Sequence, residues 1–299
     1  MKWKEALFLF HSKAGNARLD EQLAAVLPSL VQAFDVFNTR KTTTIDELRL
    51  VCLQEAKQVD VLIVFGGDGT LHEVVNVMVP LQVRPVIMVL PGGTCNDFSR
   101  TLNVPQRLEE AVGNLEQAEI TSVDIGKAGE QYFLNFWGIG LVAETSMNIN
   151  EAEKDHLGVL SYFLSTLRTL SQTAQFEYTI EVDGEQLSGE AVLVMVFNGK
   201  YIGTRELPLT AISPSDGKLD LLILKSSNLA AFRELLMMNR SDRVLEDVRH
   251  VEHLQASSIH IKTNTGKKVD MDGEIYSETP AQITVLPKQL QMVRFPQDI

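Results

Sequence analysis

This sequence predicts an α/β protein in two parts, an N-terminal doubly wound parallel sheet domain and a C-terminal antiparallel β-sandwich domain. Two observations carry that expectation. Over residues 1–122, short continuous apolar runs at Ala6–Phe10, Val61–Phe65 and Val86–Leu90 alternate with stretches of helical spacing. Strands that are apolar without alternation are those buried on both faces, as in a parallel sheet with helices on each side. From about Val123 the texture changes to strands bounded by glycine-rich or Asp-Gly turns, which is the pattern of an antiparallel sandwich. The domains are therefore drawn at 1–122 and 123–299, with the last strand free to return to the first. A chain of 299 residues can bury two cores of ordinary size.

The elements follow in order. Helices are expected around Leu19–Leu30, Ile45–Ala56 and Leu71–Val79, where Leu, Val and Ala recur at helical intervals. The second part reads as strands Tyr132–Phe136, Glu177–Val182, Ala191–Phe197, Leu219–Leu224, Ile259–Lys262, Lys268–Met271 and Gln282–Leu286. Two helical stretches, Leu157–Thr173 and Leu229–Arg249, interrupt it. Within the latter, Met237-Met238 is either a lipid-facing surface or core.

Composition narrows the function classes. With 44% hydrophobic and 22% charged residues, the chain is globular, not disordered. The longest apolar run, Ala191–Phe197, is far short of the roughly twenty residues a membrane-spanning helix needs. The apolar run after Lys2 and Lys4 stops at His11 with no cleavage site behind it, so a first strand is expected there, not a signal peptide. Cys52 and Cys95 are the only cysteines, too few for a disulfide framework, and a cytoplasmic location fits. A net charge of −12 argues against nucleic acid as a partner. It leaves room for peripheral membrane contact through a local basic patch. None of the six histidines forms a metal-binding pair on a helix face, and His250 and His253 are expected on a solvated helix.

The chemistry is concentrated in two loops. Gly66-Gly67-Asp68-Gly69-Thr70 follows a strand and opens a helix at about Thr70. Such a loop suits a phosphate, because glycine lets main-chain N–H groups approach and the helix N-terminus favours an anion. Asp68 cannot bind an anion, so it would hold Mg²⁺ or orient nucleotide phosphates through the metal. The plain alternative is a strand-to-helix turn that needs glycines for its shape. The second loop is Pro91-Gly92-Gly93-Thr94-Cys95-Asn96-Asp97-Phe98. Thr94 offers a hydroxyl to phosphate, and Asn96 or Asp97 offers a helix cap. Loops at the carboxyl ends of neighbouring strands share one crevice in an open α/β sheet, so the pair implies one site.

The strand–GGDGT–helix unit followed by PGGTCNDFSR resembles the catalytic domain of diacylglycerol kinases and their bacterial lipid-kinase relatives. Val123-Asp124-Ile125-Gly126, Phe197-Asn198-Gly199, Ser215-Asp216-Gly217-Lys218-Leu219-Asp220 and Asp272-Gly273-Glu274 continue the resemblance in family order. It implies transfer of the ATP γ-phosphate to a lipid hydroxyl, with diacylglycerol converted to phosphatidic acid, at the inner face of the membrane. It implies ATP contacts at His11, Ser12, Lys13, Ala14 and Gly15, at Thr39, and at Gly66, Gly67, Asp68, Gly69, Thr70 and Thr94. The first of these segments departs from the family's Asn-Pro-x-Ser-Gly, and His72 stands where relatives often carry Asn. The resemblance also implies a Mg²⁺ site from the side chain of Asp216 and the carbonyls of Ser213 and Lys218, though Asp216-Gly217 is equally a common turn. Asp97 and Asp124 join Asp68 as catalytic candidates.

For the general base there are two look-alikes, Val182-Asp183-Gly184-Glu185 and Met271-Asp272-Gly273-Glu274. Both read as hairpins, and position in the family pattern selects Glu274. A homodimer is compatible with the family. Two other readings remain open, an NAD kinase-like phosphotransferase and a silent nucleotide- or lipid-binding relative.

Overall fold

The computed structural model describes residues 3–12, 14, 19–143, 175–207, 209, 212–226 and 250–297. The expected helices Leu157–Thr173 and Leu229–Arg249, with Met237-Met238, lie outside the described residues. The chain divides into two compact units, Met1–Val123 with Lys288–Ile299, and Asp124–Pro287.

The first unit runs β1 (Glu5–His11), α1 (Leu19–Ala33), β2 (Val36–Thr42), α2 (Ile45–Gln54), β3 (Val61–Gly66), α3 (Asp68–Met78), β4 (Val86–Pro91), α4 (Asp97–Thr101) and α5 (Leu108–Gly113). β5 (Glu119–Ala128) leads into the second. The strands pair in the order β2-β1-β3-β4, all parallel. Leu7, Phe8 and Leu9 of β1 and Leu62, Ile63 and Val64 of β3 are essentially inaccessible, which is why their sequences show no alternation. Each such side chain contributes about 1.5–3 kcal/mol on burial. From one side, α2 buries Leu48 and Cys52, and α3 buries Leu71, Val74, Val75 and Met78. Helix α2 starts on a capping box, with Thr44 Oγ1 accepting from Glu47 N and the Glu47 carboxylate accepting from Thr44 N. Because β2 and β3 flank β1 on opposite sides, the strand order reverses at β1/β3, and ligands of open sheets bind beyond the carboxyl ends at such a point.

The second unit continues with β6 (Gln131–Phe133), β7 (Phe136–Gly140), β8 (Phe176–Val182), β9 (Glu185–Ala191), β10 (Leu193–Phe197), β11 (Tyr201–Ile202) and β12 (Arg205–Glu206). It ends with β13 (Leu219–Leu224), β14 (Val251–Ala256), β15 (Ser258–Thr263), β16 (Lys268–Met271), β17 (Glu274–Glu278) and β18 (Ala281–Arg294). One sheet has the order β14-β13-β10-β7-β16-β17, and β9-β8-β15 with the first half of β18 form the other. From Lys288 onward β18 belongs to the first unit, where Met292 pairs in parallel with Ile87 of β4.

Two apolar clusters account for the second unit's sequence. Phe176, Tyr178 and Ile180 of β8 and Ile259 and Ile261 of β15 face Trp137, Ile139, Val194, Val196, Leu221 and Ile223 in the sandwich core. The intervening residues Phe136, Leu193, Met195, Phe197, Leu222 and Leu224 join a second cluster on the other face of β7, β10 and β13. Strand β10 is thus apolar at every position and β13 at every position but Asp220, whereas β8 alternates.

Three details differ from the sequence reading. The Tyr132–Phe136 run is two strands, β6 and β7, because the carboxylate of Asp272 takes the N–H groups of Leu134, Asn135 and Phe136 and breaks the ladder there. Helix α3 opens at Asp68 and not at Thr70. His253 lies on strand β14, with Nε2 2.7 Å from the buried carboxylate of Asp220, and His250 Nδ1 meets Ser226 Oγ at 3.0 Å. Neither sits on a helix.

Candidate functional site

The parallel ladder between β3 and β4 runs to its last pair, Gly66 with Pro91, and so delivers the two glycine loops side by side. Their contact is backbone against backbone. A Cβ on Gly93 would lie 2.5 Å from Gly67 Cα, and one on Gly92 would lie 2.8 Å from the Phe65 ring. Gly92 N donates to Gly66 O, and Gly93 N donates to the Asn96 side chain. The glycines of the second loop therefore serve loop packing, and their N–H groups are already used. Gly69 is different: it is exposed in the first turn of α3, and a Cβ there would meet nothing within 4 Å. The first-turn N–H groups of a helix have no intrahelical acceptor, so Gly69 and Thr70 lie where an anion would be held.

Asn96 adopts a left-handed conformation (φ 53°) and makes no side-chain cap to α4. Its amide instead clamps Gly93, accepting from N and donating to O at 2.8 Å each. The cap is supplied from the other loop, where Asp68 Oδ1 accepts from Phe98 N at 3.1 Å. Asp68 is accordingly half-buried and ties the loops together. Asp97 is buried. Burial first, then the carboxylates of Asp97 and Asp68, push the Cys95 thiol up to about 12 against the opposing charge of Arg100. The two carboxylates thus share one neighbourhood, suited to a divalent cation with hard oxygen ligands. His72 is buried on α3, with Nε2 3.2 Å from Asn76 Nδ2.

At the end of β1, His11 closes the strand, Ser12 N donates to Thr42 O, and Ala14 N donates to His11 O. Lys13 and Gly15 lie outside the described residues. Thr39 does not sit at the end of its strand. It is exposed in mid-strand opposite Phe8, whereas Thr42 is the buried threonine at the carboxyl end, in register with His11. The sequence reading missed Thr42, whose signal would have been the length of β2.

In the second unit, Asp124 is fully buried. Its Oδ2 accepts from Gly217 N at 2.6 Å and its N donates to Pro214 O, so it fastens the Ser213–Lys218 loop. Asn198 donates from Nδ2 to the carbonyls of Asp124 and Leu134, both at 2.9 Å. Partial burial, then the carboxylates of Asp220 and Asp124, push the Asp216 carboxyl above its ordinary range, against the pull of Lys218 N. That concentration of negative charge, beside the Ser213 and Lys218 main chain, fits a cation. The Lys218 ammonium is turned to Ser257 Oγ (3.0 Å) and Asp183 (3.6 Å).

The two Asp-Gly hairpins have the same backbone. Asp183-Gly184 and Asp272-Gly273 all have positive φ, and Val182 pairs with Glu185 as Met271 pairs with Glu274, the type I′ arrangement. They differ in what anchors them. Asp272 is buried on three N–H groups, and the fully buried Asp270 accepts from Gly273 N. Asp183 is exposed and accepts from Ser257 N and Ser258 N. Burial raises its carboxyl, but those bonds and Lys218 outweigh it and hold it below the usual range.

Two family models divide the chain between them. The diacylglycerol kinase catalytic domain matches residues 5–128, and the YegS C-terminal NAD kinase beta sandwich-like domain matches residues 138–294. The chain belongs to the diacylglycerol kinase family of lipid kinases. A Staphylococcus aureus (strain Newman) protein named "Putative lipid kinase" is 31% identical over 297 residues, 98% of this chain and 97% of the relative. Two crystal structures from Bacillus anthracis strain Sterne are each 40% identical and cover 100% of this chain and 99% of their own. One, described as a "putative diacylglycerol kinase", has a TM-score of 0.90, and the other, described as a diacylglycerol kinase, has 0.87. The family is therefore the one resembled by the motifs, and its α/β plus sandwich architecture is the one observed.

The two classes of glycine should separate experimentally. Gly93→Ala forces the loops apart and should lower stability by roughly 1–3 kcal/mol in urea denaturation. Gly69→Ala should leave stability equal or up to about 1 kcal/mol higher while weakening nucleotide binding, measured by calorimetry. Equal stability losses in both would refute the distinction.

Proposed function

We propose that this lipid kinase transfers the γ-phosphate of ATP to the hydroxyl of diacylglycerol, with Mg²⁺, while in peripheral contact with the cytoplasmic face of a membrane. The reading rests on one observation above all, the locked pair of loops that sets Asp68 and Asp97 beside an open helix N-terminus. Diacylglycerol enters from the relatives' names and from the motifs.

Phosphoryl transfer asks for charge neutralisation and positioning more than for covalent help. A bound divalent cation would supply the neutralisation, with Asp68 and Asp97 to hold it. Main-chain N–H groups at Gly69 and Thr70 would take phosphate oxygens, and Thr94 would add a hydroxyl. The carboxylate of Glu274 would orient the acceptor hydroxyl and accept its proton as the new P–O bond forms. Burying Asp270 and Asp272 under a hairpin turn is costly unless they are hydrogen-bonded. Both are, so Glu274 leaves a turn fixed by buried carboxylates, whereas the Glu185 turn is held by the exposed Asp183. Asp216, with the Ser213 and Lys218 carbonyls, would hold a second cation that relieves the charge shared with Asp124 and Asp220.

Incubation with labelled ATP, Mg²⁺ and mixed micelles tests the reading, with NAD as a control acceptor because the sandwich model is NAD kinase-like. Label in lipid is expected, and label in NAD alone would sink the proposal. Asp68→Ala would also remove the bond from Phe98 N, so Asp68→Asn is the cleaner change. It should leave the melting temperature nearly unchanged and abolish turnover.

Glu274→Gln should cut the turnover rate by at least roughly a hundredfold with nucleotide binding kept. Glu185→Gln should do almost nothing, and the reverse pattern would assign the base elsewhere.

For Asp216 the sign is fixed by its raised carboxyl. Ionisation is disfavoured in the fold, so its contribution is favourable below the unfolded value near 4 and is lost as pH rises through the raised folded value. Asp216→Asn should thus be as stable as wild type, or more so, at neutral pH without metal. Added Mg²⁺ should raise the wild-type melting temperature more than the variant's. Equal responses would remove Asp216 from the metal site.

A further inference from the structure

Arg100 is set apart among the described arginines of the first unit. Arg40 pairs with Glu55, Arg49 with Glu73, Arg107 with Glu110 and Arg294 with Glu119, while Arg84 donates to the carbonyls of Met78, Val79 and Gln289. Arg100 uses only Nε, which donates to Cys95 O at 2.9 Å. Its two terminal nitrogens meet no acceptor among the described residues. The side chain is half-buried on α4, directly after the second glycine loop. Its charge is felt at the Cys95 thiol, where those of Asp97 and Asp68 are also felt, yet it forms an ion pair with neither.

We propose that the guanidinium of Arg100 is a catalytic cation, taking the terminal phosphates of the bound nucleotide through its two free nitrogens. This rests on the kinase reading above. A guanidinium left without an acceptor in a partly dry site is unfavourable unless a ligand supplies one. The planar fork matches the oxygens of a phosphate bidentately. The bond through Nε fixes the plane of the group before the ligand arrives, so little rotamer freedom is lost when it binds. Asp68 and Asp97 attract a divalent cation to the same neighbourhood, and a triphosphate is the ligand class that answers both signs of charge together.

The test compares Arg100→Gln and Arg100→Lys with the wild-type full chain, reading ATP and adenosine affinity by calorimetry with Mg²⁺. Turnover and the KM values for ATP and lipid are read in the micelle assay. Arg100→Gln should weaken ATP by at least about tenfold, the worth of one charge-assisted pair, with adenosine within about twofold. Methylguanidinium added to the assay should restore part of its turnover and not raise that of the wild type. Arg100→Lys should recover part of the ATP affinity, because it keeps the charge without the fork. Arg100→Gln within about twofold of wild type in ATP affinity and turnover would overturn the proposal. So would a proportional loss of adenosine, which would mean a structural role through Cys95. A rise confined to the lipid KM would give the guanidinium to the lipid acceptor and overturn it too. A wild-type chain that binds no ATP would sink the kinase reading and this one with it, whereas ATP-competent wild type beside an unaffected variant sinks this one alone.

Discussion

The backbone contact between Gly67 and Gly93 is the constraint on which the first unit's chemistry depends. Parallel pairing carries β3 and β4 to their ends in register, and the chains leaving them come so close that a Cβ on Gly93 would fall 2.5 Å from Gly67 Cα. Everything else in the site is arranged around that approach. Asn96 turns left-handed so that its amide can brace Gly93. Asp68 reaches across to the start of α4, which fixes the direction from which Asp97 and Arg100 leave the helix. One glycine, Gly69, has no packing reason to be glycine, and it is the one at the open helix terminus.

In the second unit, buried carboxylates have the corresponding role. Asp124, Asp270 and Asp272 are hidden from solvent, and Asp124 and Asp272 are bonded mainly to main-chain N–H groups. Charge-assisted bonds of this kind are roughly twice as strong as neutral ones. They hold irregular backbone that has no ladder of its own, the Ser213–Lys218 loop and the link between β6 and β7. Asn198 joins these regions by spanning the carbonyls of Asp124 and Leu134. Two acids of the family motifs, Asp124 and Asp272, therefore stabilise the shape of their loops, whereas Glu274 is exposed on its hairpin.

Two of the strands that escaped the sequence reading share a physical cause. β2 and β9 are edge strands with almost wholly exposed side chains, so no buried face imprints a period on their residues. Conversely β10 and β13, buried between two apolar clusters, are apolar throughout except for Asp220 and are legible at once. His253 was assigned to a helix because isolated polar residues carry no period, and its partner Asp220 lies on the neighbouring strand.

By itself the sequence determined strands β1, β3 and β4 and helices α1 to α3 of the first unit, the two glycine loops, the paired Asp-Gly turns and the family. Each of these is written in contiguous residues, through local periodicity or a turn that demands glycine. The tertiary structure decided which glycines pack and which stay open, that Asn96 braces a loop instead of capping a helix, that Thr42 and not Thr39 ends its strand, and that Arg100 keeps its fork unpaired. Those properties belong to pairs of residues brought together by strand pairing and loop contact, such as Gly67 with Gly93 and Asp68 with Phe98. No local period records them, because each depends on how separate strands and loops are brought together.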